Sequence, residues 1–456
     1  MIVMKFGGSS LTTSDALTRV SGLVAERVSR QPVVVVSAMG GTTDVLVSAV
    51  GYSIAGNRQA ARRQVAAIRD DVLHAAAPVL SEIEPLERLI DRHCDEIESS
   101  LEALAVVGST GDGALTDAIL SHGERISSRV ITQLLTQQGV DAVHVDARDV
   151  LVTDDRFTEA SPQYEPTNAQ LAKLVRPRVE AGQVVVMGGF IGRTADGRVS
   201  TLGRGGSDFT ASIVGAGIGA NEIQIWTDVD GVMTADPTVV SDARPLRELS
   251  FAEASELAYF GGRVLHPSTV LPAIECDVPV RVLNSRKPEV EGTLIMASCP
   301  PTEMTVKSIA SKRGITVIDI RSTRMLMAHG FLAAIFEVFD RFETEVDVVS
   351  TSEVGVSLTI DRTDRLEKVV SALRSFAEVS YAGGQAIVCL VGESLDRTPG
   401  VAARIFSALR TINVRMVSQG SARTNVSLVI DERDVDQAVN ALHTTFFSMN
   451  ELDDVG

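Results

Sequence analysis

Met1-Ile2-Val3-Met4-Lys5-Phe6-Gly7-Gly8-Ser9-Ser10 opens the chain and decides its class. Ile2–Phe6 reads as a short apolar strand, and Gly7-Gly8-Ser9-Ser10 as the turn that ends it. Over residues 14–30, Leu17, Val20, Leu23, Val24 and Val28 recur at helical spacing, with Thr13 or Ser14 as the N-cap. Pro32 ends that helical region, and the valine run 33–36 suits a strand buried on both faces. It too runs into a small-residue loop, Ser37-Ala38-Met39-Gly40-Gly41-Thr42-Thr43. This is a βαβ unit with two loops at the carboxyl ends of parallel strands, the edge at which open α/β sheets bind ligands.

Outward from this unit, residues 45–140 are rich in Ala, Leu, Arg and Glu and predict helices. Strand signals return at 143–145, 184–187 and 223–226, and Asp196-Gly197 predicts a hairpin turn within 191–202. A third glycine-rich loop, Gly203-Arg204-Gly205-Gly206-Ser207-Asp208, opens a helix near Phe209. Strand segments at 280–283 and 293–297 close this region, and Cys299-Pro300-Pro301 reads as a linker. Beyond it, strands and helices recur in the order βαββαβ. Gly330-Phe331-Leu332-Ala333-Ala334-Ile335-Phe336 parallels Gly400-Val401-Ala402-Ala403-Arg404-Ile405-Phe406, and Val356-Ser357-Leu358 parallels Val426-Ser427-Leu428. Such self-similarity indicates a duplicated small α/β module. The expected organisation is therefore 1–298, 306–384 and 385–450, with the ownership of the terminal strands left open.

Composition narrows the function. A chain of 456 residues suggests roughly two to four domains. Its net charge of −17 weighs against nucleic acid or an anionic membrane as partner. No apolar run approaches a membrane span, and the first residues lack a signal-peptide pattern, so a cytoplasmic location is expected. Cys94, Cys276, Cys299 and Cys389 are scattered and predict free thiols rather than disulfides or a zinc site.

The chemistry rests on the three glycine-rich loops, whose bare backbone lets N–H groups approach phosphate beside a helix N-terminus. Lys5, one residue before the first loop, could reach such a phosphate; taken alone it reads equally well as a strand-end lysine in solvent. No GxxxxGK[ST] loop is present, nor the HRD and DFG segments of protein kinases. Gly215-Ala216-Gly217-Ile218-Gly219 follows a helix and precedes a strand, which marks a helix end rather than a dinucleotide loop.

Five segments in order carry a family resemblance. Lys5-Phe6-Gly7-Gly8-Ser9-Ser10, His122-Gly123-Glu124, LGRGGSD from Leu202 to Asp208, WTDVDG from Trp226 to Gly231 and FGGRVLHP from Phe260 to Pro267 resemble the signatures of aspartate kinases. Ser9 stands where the family usually has Thr. The resemblance implies the amino-acid kinase fold, a mainly parallel sheet sandwiched by helices, followed by two ACT-like βαββαβ modules. It also implies ATP and L-aspartate as substrates, Mg²⁺ carried by ATP rather than by a protein site, and 4-phospho-L-aspartate as product.

Carried across by motif, Lys5 and Asp208 are catalytic, Lys5 meeting ATP phosphates and Asp208 orienting Lys5 or the metal-bound phosphates. Phe6, Gly7, Gly8, Thr227, Asp228, Met233 and Arg263 fall on the nucleotide side. Arg204 takes the α-carboxylate, Glu124 the α-ammonium, and Thr43, Gly205, Gly206 and Ser207 complete the aspartate site. Met233 stands where many relatives have Tyr, Thr238 where some have Arg, and Arg263 where Lys is expected; these departures bear on ATP affinity rather than on reaction type. His122 and His266 read as structural. The rivals are another amino-acid kinase, such as glutamate 5-kinase or a nucleoside monophosphate kinase, and a catalytically dead amino-acid sensor. The latter would have lost Lys5, Glu124, Arg204 or Asp208, and all four are present.

In the first repeat, Ser322-Thr323-Arg324-Met325, His329-Gly330-Phe331-Leu332 and residues 346–353 resemble the lysine-sensitive monofunctional type. That implies an amino-acid effector, lysine by resemblance with threonine left open, at Met325, Phe331, Leu332, Asp347, Ser352 and Glu353. Backbone amides near Phe331 and Leu332 suit a carboxylate, and Asp347 and Glu353 offer charge to an ammonium. Arg415 replaces Asp347 in the second repeat, which makes that copy a poor site for a cation. The resemblance further implies a homodimer or homotetramer formed through the ACT modules.

Overall fold

The computed structural model describes residues 1–108, 112–261, 270–299, 304–321, 330–420 and 423–447. They form two compact units: Met1–Val232 with Arg247–Phe251 and Val264–Cys299, and Met233–Leu246 with Ala252–Arg263 and Pro300–Gly456. Among the described residues, no helix is long and apolar enough to cross a membrane.

The first unit is built on an eight-stranded sheet in the order Ala142–His144, Val184–Gly188, Pro32–Val36, Ile2–Phe6, Glu222–Thr227, Val280–Asn284, Thr293–Met296, Glu248–Ser250. The first six strands are parallel, and Thr293–Met296 runs against them. Ile2–Phe6 lies near the middle, with Lys5 level with Val35 and Ile225. Every residue of Ile2–Phe6 and Pro32–Val36 is buried, as a continuous apolar run predicts. One face carries Met4 and Phe6 into a core shared with Leu17, Leu46, Ile68, Ile90 and Ile131 from five helices. On the other face lies helix Gly206–Ile218, whose Gly215 comes so close that a Cβ there would sit 2.6 Å from Ile223.

The local expectations hold in detail. Thr13 caps helix Ser14–Ala25 by accepting the Ala16 N–H, and Gly219 in the left-handed region (φ 66°) ends helix Gly206–Ile218. That helix begins three residues earlier than Phe209, because Gly205 (φ 73°) already takes the cap conformation. Asp196-Gly197 turns the hairpin Ile191–Thr194 and Val199–Thr201, part of a small sheet with Val152–Thr153.

The second unit is a six-stranded antiparallel sheet in the order Val349–Thr351, Gly355–Ile360, Ser308–Arg321, Glu378–Val391, Asn425–Asp431, Val414–Gln419. Helices Phe331–Arg341 and Leu366–Leu373 bury Ile335, Phe339, Val369 and Leu373 against Ile318 and Leu358. Helices Val401–Ala408 and Val435–Phe447 do the same with Ile405, Val439 and Leu442 against Val388 and Leu428. The duplicated module is thus present, but its halves are not split at 384 and 385. The long strand Ser308–Arg321 pairs through 308–312 with 387–391, beside the second copy, and through 317–321 with 378–382, beside the first. The second copy therefore takes its fourth strand from chain that precedes the first copy.

Chain from before residue 298, Met233–Leu246 and Ala252–Arg263, also belongs to the second unit. Ala235 and Val240 join the core of Leu390 and Leu428, and the Lys307 ammonium meets the Glu253 carboxylate at 2.9 Å with both side chains at most 3% exposed. Removing one partner of a buried pair strands the other charge, at a cost of about 3–5 kcal/mol. Lys307→Ala should lower the stability of the folded chain by that amount in urea unfolding, and Lys307→Met paired with Glu253→Leu should recover most of it.

Candidate active site

Four loops leave the sheet at the carboxyl ends of Ile2–Phe6, Pro32–Val36, Val184–Gly188 and Glu222–Thr227. Backbone bonds lock their roots: Gly7 N donates to Trp226 O (3.3 Å), Ser37 N to Phe6 O (3.0 Å), Gly189 N to Val36 O (2.8 Å) and Ser285 N to Thr227 O (2.8 Å). The first two loops lie against each other, and a Cβ on Gly8 would come within 2.8 Å of the Ala38 carbonyl. Glycine is needed there for close approach, and the same bareness leaves main-chain N–H groups open to an anion.

Lys5 does not run out to solvent. Its side chain is 11% exposed and its ammonium stands 2.6 Å from Asp208 Oδ1, a contact of charges whose angles fall outside hydrogen-bond geometry. Asp208 occupies the first turn of helix Gly206–Ile218, where the helix dipole also favours a carboxylate. Gly7 sits beside this pair; a Cβ there would be 3.7 Å from Lys5 Nζ.

Glu124 lies in the first turn of helix His122–Gln137 and is buried. Its Oε1 accepts the Ala38 N–H at 3.0 Å, and its Oε2 has no partner among the described residues. Burial pushes its carboxyl up to about 8. Neighbours crowd it into place: a Cβ on Gly188 would lie 2.9 Å from Glu124 Cβ, and one on Gly123 would lie 2.6 Å from Ala38 Cβ. A buried carboxylate oxygen without a donor calls for one.

Ser207 is buried so tightly that a Cβ on Gly189 would lie 2.7 Å from its Cα. Arg204 is exposed on the same loop and forms no ion pair among the described residues. Thr43 is half-buried in the first turn of helix Thr42–Ile54. Thr227 donates to Asp228 Oδ1 at 3.3 Å. The structure thus brings Lys5, Gly7 and Asp208 together, and Glu124, Ala38 and Gly8 together, along one sheet edge. Met233 is the first residue of the second unit, its carbonyl taking the Ser308 hydroxyl at 2.8 Å. Arg263, His266 and Met325 lie outside the described residues.

Of the expected effector residues, Phe331 stacks edge-on against Phe376 at 5.9 Å, and Leu332 is exposed at the start of helix Phe331–Arg341. Ser352 and Glu353 are exposed. Asp347, expected to offer its charge to an ammonium, faces one within the chain. It already holds the Lys312 ammonium at 2.7 Å, and Lys312 also pairs with Asp361 at 2.9 Å.

Sequence reasoning passed over Asp117, which is fully buried in helix Gly113–Leu120. It accepts Thr158 N (2.9 Å), Thr201 N (2.8 Å) and Thr201 Oγ1 (2.7 Å), and so anchors the strand that leads into Gly203-Arg204. Burial raises its pKa while these three bonds oppose the rise. With Thr201 84 residues away, no local pattern signals the link.

Comparison with known proteins defines the class first. The model of the amino acid kinase family matches residues 1–284, and an ACT domain model matches residues 388–446. The chain is therefore a kinase of the amino-acid kinase fold carrying an ACT region. Aspartokinase 1 of Arabidopsis thaliana chloroplasts is 37% identical over 99% of this chain and 81% of its own length. The lysine-sensitive aspartokinase 3 of Escherichia coli is 36% identical over 98% and 99%. The E. coli aspartokinase III structure with aspartate and ADP, in the R-state, superposes with a TM-score of 0.85 at 35% identity, covering 98% of this chain and 100% of that one. Its T-state complex with lysine and aspartate gives 0.80 at 35% identity, covering 98% and 99%. The chain belongs to the aspartokinase family: it is an ATP-dependent kinase of aspartate.

Asp117→Ala leaves the Thr158 and Thr201 N–H groups and the Thr201 hydroxyl without their acceptor, a loss of about 2 kcal/mol. Urea unfolding of the variant should report that loss.

Proposed function

We propose that the carboxyl edge of the eight-stranded sheet binds L-aspartate and ATP and transfers the γ-phosphoryl group to the side-chain carboxylate, giving 4-phospho-L-aspartate at the start of lysine, threonine and methionine biosynthesis. The observation that carries this reading is the unpartnered oxygen of buried Glu124, a site for one ammonium at the edge where Lys5 and the glycine loops gather donors for phosphate. Glu124 takes the α-ammonium. Exposed Arg204, with no ion-pair partner among the described residues, takes the α-carboxylate in the planar two-point manner of a guanidinium. Thr43, Gly205, Gly206 and Ser207 complete the aspartate side, while Phe6, Gly7, Gly8, Thr227, Asp228, Met233 and Arg263 belong to the nucleotide side.

The attacking carboxylate is already ionised at neutral pH, so no general base is required. What the protein supplies is alignment and positive charge around the group in transit. Lys5 provides that charge, and Asp208 holds its ammonium at the end of the strand. Mg²⁺ carried by ATP would neutralise phosphate charge, and Asp208, beside Lys5, would offer it a hard carboxylate oxygen. Chain flow through the glycine loops places backbone N–H groups, rather than side chains, against the phosphates.

We further assign Met325, Phe331, Leu332, Asp347, Ser352 and Glu353 to an amino-acid effector, lysine by analogy with the E. coli relative solved with it. The duplicated ACT modules, 306–384 and 385–450 with strand 308–312 completing the latter, are assigned to homodimer or homotetramer assembly in the cytoplasm, after a catalytic region within 1–298.

Glu124 tests the catalytic assignment. Its carboxyl is held neutral below about pH 8, yet an ammonium needs the carboxylate, so aspartate binding must release a proton. Aspartate affinity should rise about tenfold per pH unit between roughly 6 and 8 and then flatten. Calorimetry in buffers of different ionisation enthalpy should count close to one proton released, and Glu124→Gln should abolish both effects; an unchanged pH profile in that variant would exclude Glu124 from the site.

For the effector, Asp347→Ala should weaken lysine inhibition at least tenfold while kcat without lysine stays within twofold. Inhibition curves with unaltered midpoints would remove Asp347 from the pocket.

A further inference from the structure

We propose that a basic cavity at the Ala142–His144 edge of the first unit's sheet binds a small dianionic oxyanion of the phosphate type. The cavity holds about 190 Å³. It lies between helix Glu84–Val107, the start of helix His122–Gln137 and the chain after Ala142–His144. In a chain of net charge −17, its lining contributes Arg92, Arg125, Arg129 and Arg148 against only Glu96 and Asp146, a surplus of two positive charges from four minus two.

The pairing inside the cavity shows which charges remain open. Arg148 is fully engaged, giving Nε and Nη2 to Asp146 at 3.0 and 2.7 Å. Arg125 gives Nη2 to Glu96 at 3.2 Å. Arg92 and Arg129 have no ion-pair partner among the described residues, although both face the same space. Two imidazoles, buried His93 and half-buried His144, line the same space. Burial and the surrounding guanidinium groups hold His93 down at about 3, and burial and Arg129 hold His144 at about 4, so both rings are neutral at pH 7, each carrying one N–H. Two unneutralised guanidinium groups flanked by neutral N–H donors match the charge and hydrogen-bonding needs of a dianion. An adjoining groove of about 680 Å³, sharing Glu96, Arg125 and Arg148, gives access from solvent.

A cation is the alternative, since ligand atoms of His93, Glu96 and His122 lie within 4.8 Å of one another. The geometry opposes it. His93 Nδ1 and His122 Nδ1 hydrogen-bond to each other at 2.7 Å, whereas two nitrogens about 2.0–2.1 Å from a tetrahedral zinc stand roughly 3.4 Å apart. The Arg125 guanidinium also lies 3.3 Å from His122 Nε2, on the side a metal would need. Arg125 directly follows Glu124 on the same helical turn, so an anion here would sit one residue from the aspartate site without touching it.

The probe is inorganic phosphate, titrated into the full chain by calorimetry and by NMR of the imidazole C–H signals, with acetate at equal ionic strength as the monoanion control. Saturable phosphate binding, at least tenfold tighter than acetate and shifting the His93 and His144 signals, is expected. Arg92→Ala combined with Arg129→Ala should weaken it at least tenfold and leave kcat within twofold, with the melting temperature reporting intact fold. Absence of saturable binding, or binding unaltered in the double variant and therefore located at the nucleotide loops, overturns the proposal. Stoichiometric Zn²⁺ uptake abolished by His93→Gln overturns it in favour of a cation site.

Discussion

Strand Ile2–Phe6 is hydrogen-bonded in parallel on both sides, to Pro32–Val36 and to Glu222–Thr227, and buried on both faces. Parallel pairing sends every strand out at the same edge, so the loops that follow converge there whatever their own sequences. The constraint works backwards as well. Because the valines of 33–36 and the residues around Trp226 leave no room for slippage, Lys5 is delivered to one height at the sheet edge, level with Val35 and Ile225. The contact of Lys5 with Asp208 depends on that register.

Buried carboxylates in this protein meet three different fates, and the differences separate structure from function. Asp117 is saturated by three donors and serves as an anchor. Asp347 holds an internal ammonium, that of Lys312, which also reaches Asp361. Glu124 Oε1 accepts the Ala38 N–H, and its Oε2 has no partner among the described residues. Carrying a charge in such surroundings costs several kcal/mol unless a partner arrives, and a substrate ammonium is such a partner.

The regulatory unit solves a different problem. Each βαββαβ copy is too small to bury much surface alone, and the two long strands Ser308–Arg321 and Glu378–Val391 join them into one sheet with two cores. Since strand 308–312 serves the second copy, the first copy is inserted within the second rather than preceding it. The Lys307–Glu253 pair and the burial of Ala235 and Val240 draw two segments from the catalytic stretch of sequence into this unit.

Much of this was legible in the chain itself. Ile2–Phe6, the valine run, the Thr13 cap, the Asp196-Gly197 turn and the Gly219 helix end follow from local sterics and periodicity, which act over a few residues and leave local marks. Glu124, Arg204, Lys5 and Asp208 were recognisable because they sit in compact motifs. Pairings across long separations left no such mark: Asp117 with Thr201, His93 with His122, Lys312 with Asp347, and strand 308–312 with 387–391. By itself the sequence determined the elements, the glycine loops and the family chemistry, because hydrophobic period and backbone freedom are properties of neighbouring residues. Only the tertiary structure decided that Lys5 turns to Asp208 rather than to water, that one Glu124 oxygen is left open, and which module owns which strand, because burial and charge pairing depend on what the folded chain brings together.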